Sequence, residues 1–162
     1  EIQKVTLDDN FDYTIFQSAR MISMLNVLEH IEDPLQFTMK ITSEAKIGSY
    51  ILVELPRTPS FSNYVNKIFP SYSNRHIYPP DHLHIFSDKS IDNILSTCGY
   101  EIETVWYFGQ DFSDLLTVLA GEGKLKGDEK FQLFLNLSNE VQKVFDKNEM
   151  SDTFLMIAKK VK

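Results

Sequence analysis

Four histidines are the side chains of this sequence best suited to chemistry near neutral pH: His30, His76, His82 and His84. Imidazole takes up and releases a proton in that range. Three of the four sit in one stretch, S-Y-S-N-R-H-I-Y-P-P-D-H-L-H, together with Tyr78 and Asp81. Pro79-Pro80 makes the stretch stiff and extended, so it reads as a loop. A histidine there can act as a general base on a bound substrate, and Asp81 is placed to orient His82. The same residue types can also ligate a metal, as H-x(5)-H-x-H with Asp81. No cysteine accompanies them, and in an extended segment His82 and His84 point to opposite sides. The metal reading is therefore set aside in favour of proton transfer and substrate contact. The plainer reading is a loop that caps the helix starting at Ser87.

The fourth histidine belongs to a second constellation, M-I-S-M-L-N-V-L-E-H-I-E-D-P. Its first five residues are an apolar run with one small polar member, which reads as a strand buried on both faces. Asp33 can cap a helix and Pro34 can occupy its first position. The stretch is then strand, loop, helix start. In an open α/β sheet, ligands bind just outside the carboxyl ends of the strands. Asn26, Val27, Leu28, Glu29 and His30 hold that position. Glu54 and Pro56 end a second strand at the same rim, where a pocket-shaping role stands beside a plain turn. His30 is a candidate base, although a packed, hydrogen-bonded histidine is the commoner state.

The elements that must position these groups follow from periodicity. Residues 34–46 predict a helix with a broad apolar surface, closed near Gly48. Residues 50–55 predict a second buried strand, completing a parallel, right-handed βαβ unit. Phe61, Val65 and Ile68 give residues 58–69 helical spacing, ended by Pro70. Ser87 caps a helix whose apolar stripe is Ile91, Ile94, Leu95 and Cys98. Residues 100–108 form a strand with Ile102, Thr104 and Trp106 on one face and Val105 and Tyr107 on the other. Helices follow at residues 111–120 and 128–147, and a last strand at 153–161. Residues 1–20 are the least legible, with Phe11, Tyr13 and Ile15 alternating as in a strand or an irregular lead-in.

Composition narrows the function. The 162 residues suit one domain, with 43% hydrophobic and 24% charged residues. A net charge of −7 argues against a nucleic-acid backbone as the main partner. No apolar run approaches a membrane span, so no membrane partner is expected. The single cysteine excludes an internal disulfide framework and fits a reducing, cytoplasmic setting.

N-V-L-E-H-I-E-D-P, followed by a helix and then G-S-Y-I-L-V-E-L-P, resembles the middle of a class I S-adenosylmethionine-dependent methyltransferase. The nearest look-alikes are the small-molecule enzymes labelled types 11, 12 and 23. F-S-D-K-S-I-D-N-I-L-S-T-C-G-Y-E-I-E resembles the late helix and sixth strand of that family. The resemblance implies an α/β fold: a partial Rossmann-like methyltransferase sheet, with a final antiparallel hairpin, flanked by helices. It implies one domain over residues 1–162, with residues 111–152 a helical insertion before the last strand. It implies S-adenosylmethionine as cofactor, with Asn26, Val27, Leu28 and Glu29 lining its methionine and sulfonium end. His82 and His30 are then the candidate catalytic groups. Glu54, His76, Tyr78, Asp81 and His84 are the candidate contacts to a small-molecule acceptor, and no metal is expected.

The same resemblance exposes a gap. The family begins with a strand, a glycine-rich turn against the cofactor, and an acidic residue for its ribose. Here none of the six glycines lies before Gly48. The expectation is therefore the C-terminal portion of a methyltransferase, binding the cofactor weakly alone. The strand at 21–25 would lack a neighbour. Residues 1–19 would cover that edge, or a homodimer would form through it or through the 128–147 helix. Two rivals remain: a non-catalytic half-Rossmann module that binds a partner, and a histidine-dependent metal hydrolase. The acceptor is not legible, since one scaffold serves oxygen, nitrogen and carbon acceptors.

Overall fold

The computed structural model describes residues 11–70, 76, 79–123 and 127–162. Four strands form one sheet: β1 (Met21–Leu25), β2 (Tyr50–Pro56), β3 (Tyr100–Phe108) and β4 (Thr153–Lys160). The helices are α1 (Pro34–Thr42), α2 (Phe61–Ile68), α3 (Asp88–Thr97), α4 (Asp111–Gly123) and α5 (Glu129–Lys147). The strand order is β1-β2-β4-β3. β1 and β2 are parallel, and β4 runs antiparallel to both β2 and β3. The last strand thus inserts between the second and third, the arrangement the family resemblance implied. The chain is a mixed α/β fold with an open sheet flanked by helices.

Local chemistry explains the helix starts. The Asp33 side chain accepts from the Gln36 N–H, with Pro34 at the first position of α1. Ser60 and Asn63 cap α2 reciprocally, and Ser87 and Ser90 do the same for α3. α1 ends at Thr42, earlier than its periodicity predicts. There the Lys160 ammonium donates to the Thr42 carbonyl at 2.7 Å, a cation set at a helix C-terminus.

The core lies on one face of the sheet. Met24, Ile51, Val53, Leu55, Phe154, Met156 and Ala158 meet Ile91 and Leu95 of α3, while Ile22 packs on Ile41 and Ala45. The opposite face is open: Met21 is 49%, Leu25 48% and Trp106 62% exposed. This corrects the expectation that β1 is buried on both faces. Its apolar run alternates between core and solvent, because α1 and α3 cover one side only.

Two further expectations change. A bulge between Ile102 and Thr104 shifts the β3 register against β4. Ile102 therefore joins Val105 and Tyr107 against the core, while Thr104 and Trp106 face the other way. The lead-in is a 3-10 turn, Tyr13–Ser18, started by the Asp12 side chain accepting from the Thr14 N–H. Tyr13, Phe16 and Ala19 pack beside Ile22 and α1 rather than pairing as a strand. Among the described residues, β1 has no partner on its outer edge.

Candidate active site

The carboxyl ends of β1 and β2 meet the start of β4 and the end of β3 at one rim. A cavity of about 310 Å³ opens there, lined by Asn26, Glu54, His76, Phe108, Gly109, Gln110 and Thr153. Larger cavities lie elsewhere. One is at the opposite, amino ends of β1 and β2, and another lies between α4 and α5. The rim cavity is the candidate site because the strand ends aim polar groups into it, whereas the helix-lined one is mainly apolar, with Thr117 and Gln132 its polar members.

Asn26 sits at φ 52°, a left-handed conformation that asparagine tolerates better than most residues. Its backbone N–H donates to the Glu54 carbonyl at 2.9 Å, and its Nδ2 donates to Glu54 Oε1 at 3.0 Å. Two residues read separately from the sequence are thus one unit. The next three behave differently. Residues Leu28–His30 form a 3-10 turn that buries the Leu28 and Glu29 side chains completely. Asn26 stays exposed, Val27 is half-buried against the core, and only Asn26 of the loop lines the cavity.

The histidine loop folds back over this turn. Glu29 carbonyl oxygen accepts from the N–H groups of Leu83 and His84, at 2.8 and 3.2 Å. His30 Nδ1 lies 2.6 Å from the Asp81 carbonyl, and His82 Nδ1 lies 3.2 Å from the His76 carbonyl. The Asp81 contribution seen here is its carbonyl to His30, not a carboxylate orienting His82. His82 stands between two rings, edge-on to His30 at 4.8 Å and nearly parallel to His76 at 6.2 Å. His84 turns away, toward the Glu32 carbonyl and Phe86. The set His76, His82, His84 and Asp81 is therefore not gathered as one ligand group. Glu29, His30 and His82 are, each with a ligand atom within 4.8 Å of the others. Tyr78 lies outside the described residues.

Burial pushes the Glu29 carboxyl above its usual range. Its own backbone N–H, which lies outside hydrogen-bond geometry, and then His30, His82 and His76 offset part of this.

Sequence reasoning missed the groups behind the cavity. His76 Nε2 lies 3.3 Å from Asp152 Oδ2 and 3.5 Å from the Thr153 hydroxyl. Asp152 and Asp111 are both fully buried. Asp111 Oδ1 accepts from the Ser62 N–H (2.9 Å) and hydroxyl (2.7 Å), and its Oδ2 accepts from the Asp152 N–H (3.0 Å) and Gln142 (3.2 Å). The Asp111 carboxyl is raised, first by burial and then by Asp152. Gly109 is the cradle for both: a Cβ there would collide with Asp152 Oδ1 and stand 2.6 Å from Asp111 Oδ2. Nothing in local periodicity marks Asp111 or Asp152. The available signal is position, since each lies just outside a strand end facing the rim.

No protein-family model matches the sequence, and no curated protein matches it at a significant level. Solved structures match the fold. A S-adenosylmethionine-dependent methyltransferase of Thermotoga maritima superposes with a TM-score of 0.52 at 11% identity, covering 87% of this chain and 56% of that one. The magnesium protoporphyrin IX methyltransferase of Synechocystis PCC 6803, solved with bound S-adenosylhomocysteine, gives 0.50 at 11% identity, covering 93% and 49%. The chain spans about half the length of these structures. At this identity the likeness is one of fold: the chain has the fold of the class I S-adenosylmethionine-dependent methyltransferases, over the part of it that these residues span.

Proposed function

We propose that the chain is the C-terminal portion of a S-adenosylmethionine-dependent methyltransferase acting on a small molecule, in the cytoplasm. The observation that carries this reading is the rim cavity, where the Asn26–Glu54 unit and the His76–Asp152 pair meet at the ends of the strands. Bound S-adenosylmethionine supplies a methyl group activated by its sulfonium. The residues present fit one wall of such a site. Asn26 is exposed at the rim and half-buried Val27 follows it; these two would face the methionine end, while no glycine-rich turn precedes them in the sequence.

The remaining work is positioning and proton transfer. Glu54 is held by Asn26, so the acceptor meets a fixed wall rather than a mobile carboxylate. His76 is the group proposed to take the acceptor proton, because Asp152 beside its Nε2 stabilises the imidazolium that results. His82 donates to the His76 carbonyl and stacks on its ring, which positions it. His82 and His30 do not line the cavity.

Calorimetric titration with S-adenosylhomocysteine tests the reading, using this chain beside one extended upstream by about a domain half. The expected result is binding by the extended chain only. Binding by neither would move the fold likeness to a scaffold likeness. A second reading, a partner-binding half-Rossmann module, would then lead, supported by the open apolar sheet face at Met21, Leu25 and Trp106.

A further inference from the structure

We infer that Glu29, His30 and His82 form a binding site for a divalent transition cation of the zinc class. His30 Nδ1 is 2.6 Å from the Asp81 carbonyl, and His82 Nδ1 is 3.2 Å from the His76 carbonyl. A carbonyl oxygen only accepts, so each Nδ1 carries the hydrogen. In a neutral imidazole the other nitrogen, Nε2, is then a lone pair. Both rings are thus fixed in the tautomer that a metal ligand needs. The backbone carbonyls take the place that outer-shell acceptors hold around ligating histidines.

The third donor is Glu29. It is fully buried, and neither carboxylate oxygen has a hydrogen-bond partner among the described residues. A buried polar group without a partner is costly. Two N–H groups of the returning loop bond the Glu29 backbone carbonyl, and among the described residues none reaches the side chain. What faces the carboxylate is His30 Nε2, 3.9 Å from Oε1. Two imidazoles and a carboxylate converge here with no donor to the carboxylate among the described residues, and a cation satisfies all three.

Geometry and donor type narrow the ion. The three ligand atoms lie within 4.8 Å of one another. Zinc bonds of about 2.0–2.2 Å to nitrogen and oxygen bring ligand atoms about 3.3 Å apart, so the site must close by roughly 1.5 Å. The His30 side chain, 43% exposed, is the least confined of the three and is the one that would move. Two imidazoles and one carboxylate suit zinc, or cobalt in its place, rather than magnesium or calcium, which prefer all-oxygen sets. Three protein ligands leave the further coordination position open, on the exposed His30 side.

The test uses the chelator-treated chain of 162 residues. Zinc chloride and, separately, magnesium chloride are titrated by calorimetry, and cobalt binding is followed by its visible absorption. The expected result is one zinc per chain, no magnesium heat, and a cobalt band typical of nitrogen and oxygen ligands. His30→Ala and His82→Ala should each weaken zinc at least tenfold. His84→Ala, which removes the histidine outside the trio, should leave it unchanged. Neither histidine is in the core, and circular dichroism checks that the variants are folded; Glu29→Gln, nearly isosteric, gives a further reading of the same site. The inference is overturned if the unmodified chain binds no zinc. It is equally overturned if zinc binding survives both His30→Ala and His82→Ala, or disappears with His84→Ala or Cys98→Ser. The readout does not depend on methyl transfer, so its failure leaves the proposed function standing.

Discussion

Asp111 joins four parts of the structure through one carboxylate. It accepts from Ser62 of α2, Gln142 of α5 and the Asp152 N–H at the start of β4, while itself opening α4. Burial and the neighbouring Asp152 nevertheless raise its pKa above the ordinary 3.8. A carboxyl raised in the folded state holds more protons folded than unfolded between the two values. Its contribution to stability is complete below 3.8 and is lost as pH rises through the raised value. Asp111→Asn removes the ionisation but turns an amide N–H toward groups that already donate, at a cost of about 1–3 kcal/mol. Urea unfolding of both proteins from about pH 4 to about pH 7 should show the gap between them narrowing as pH rises. A gap that widens would mean that Asp111 is stabilised as the anion by its four donors. At this scale the sequence was half legible. Asn26 and Glu54 were readable as strand-end residues and are hydrogen-bonded to each other. Asp111 and Asp152 were not, because their partners are distant in the chain: Ser62 lies 49 residues from Asp111 and 90 from Asp152.

Between elements, one buried arginine does what no packing stripe does. Arg57 is 5% exposed at the end of β2. Its guanidinium bonds Asp88 in the first turn of α3 at 2.7 Å, the Pro59 carbonyl before α2 at 3.0 Å, and the Glu149 carbonyl before β4 at 2.6 Å. Its face lies 4.7 Å from the Tyr107 ring centroid on β3. Arg57 therefore locks the rim to which the candidate site belongs. Arg57→Met keeps the stem and deletes the fork. Asp88 is 39% exposed and regains solvent, so the loss comes mainly from the orphaned carbonyls, about 2 kcal/mol. Denaturant unfolding should show that drop, and a change under about 0.5 kcal/mol would refute the clamp. Helix starts at Asp33, Ser60 and Ser87 were legible because capping is local chemistry. The β3 bulge was not, since a register shift is decided by β4, about fifty residues later. The alternation of β1 was not either, because a run of apolar residues does not say how many faces will be covered.

At the scale of the molecule, the sheet is a two-layer structure where the βαβ pattern reads as three. α1 and α3 cover one face, while Met21, Leu25 and Trp106 lie exposed on the other. They stand on the two edge strands, β1 and β3, and apolar side chains left in water on a sheet face are the kind of surface that contact with another element covers. Under the proposed function, the cover is the upstream half of the same domain, which also carries the glycine-rich turn. Under the partner-module reading it is another chain, a second copy included. Trp106 is the only tryptophan and is 62% exposed, so it reports on this face without a label. In dilute solution its emission should be that of a solvated indole and be readily quenched by acrylamide. In the extended chain the emission should shift to the blue and the quenching should fall. If the extended chain keeps a solvated Trp106, the upstream half does not lie on this face. If the short chain alone shifts to the blue with rising concentration, a second copy does. The apolar face is then a dimer interface, and the methyltransferase reading loses the support of an unfilled layer while keeping that of the rim.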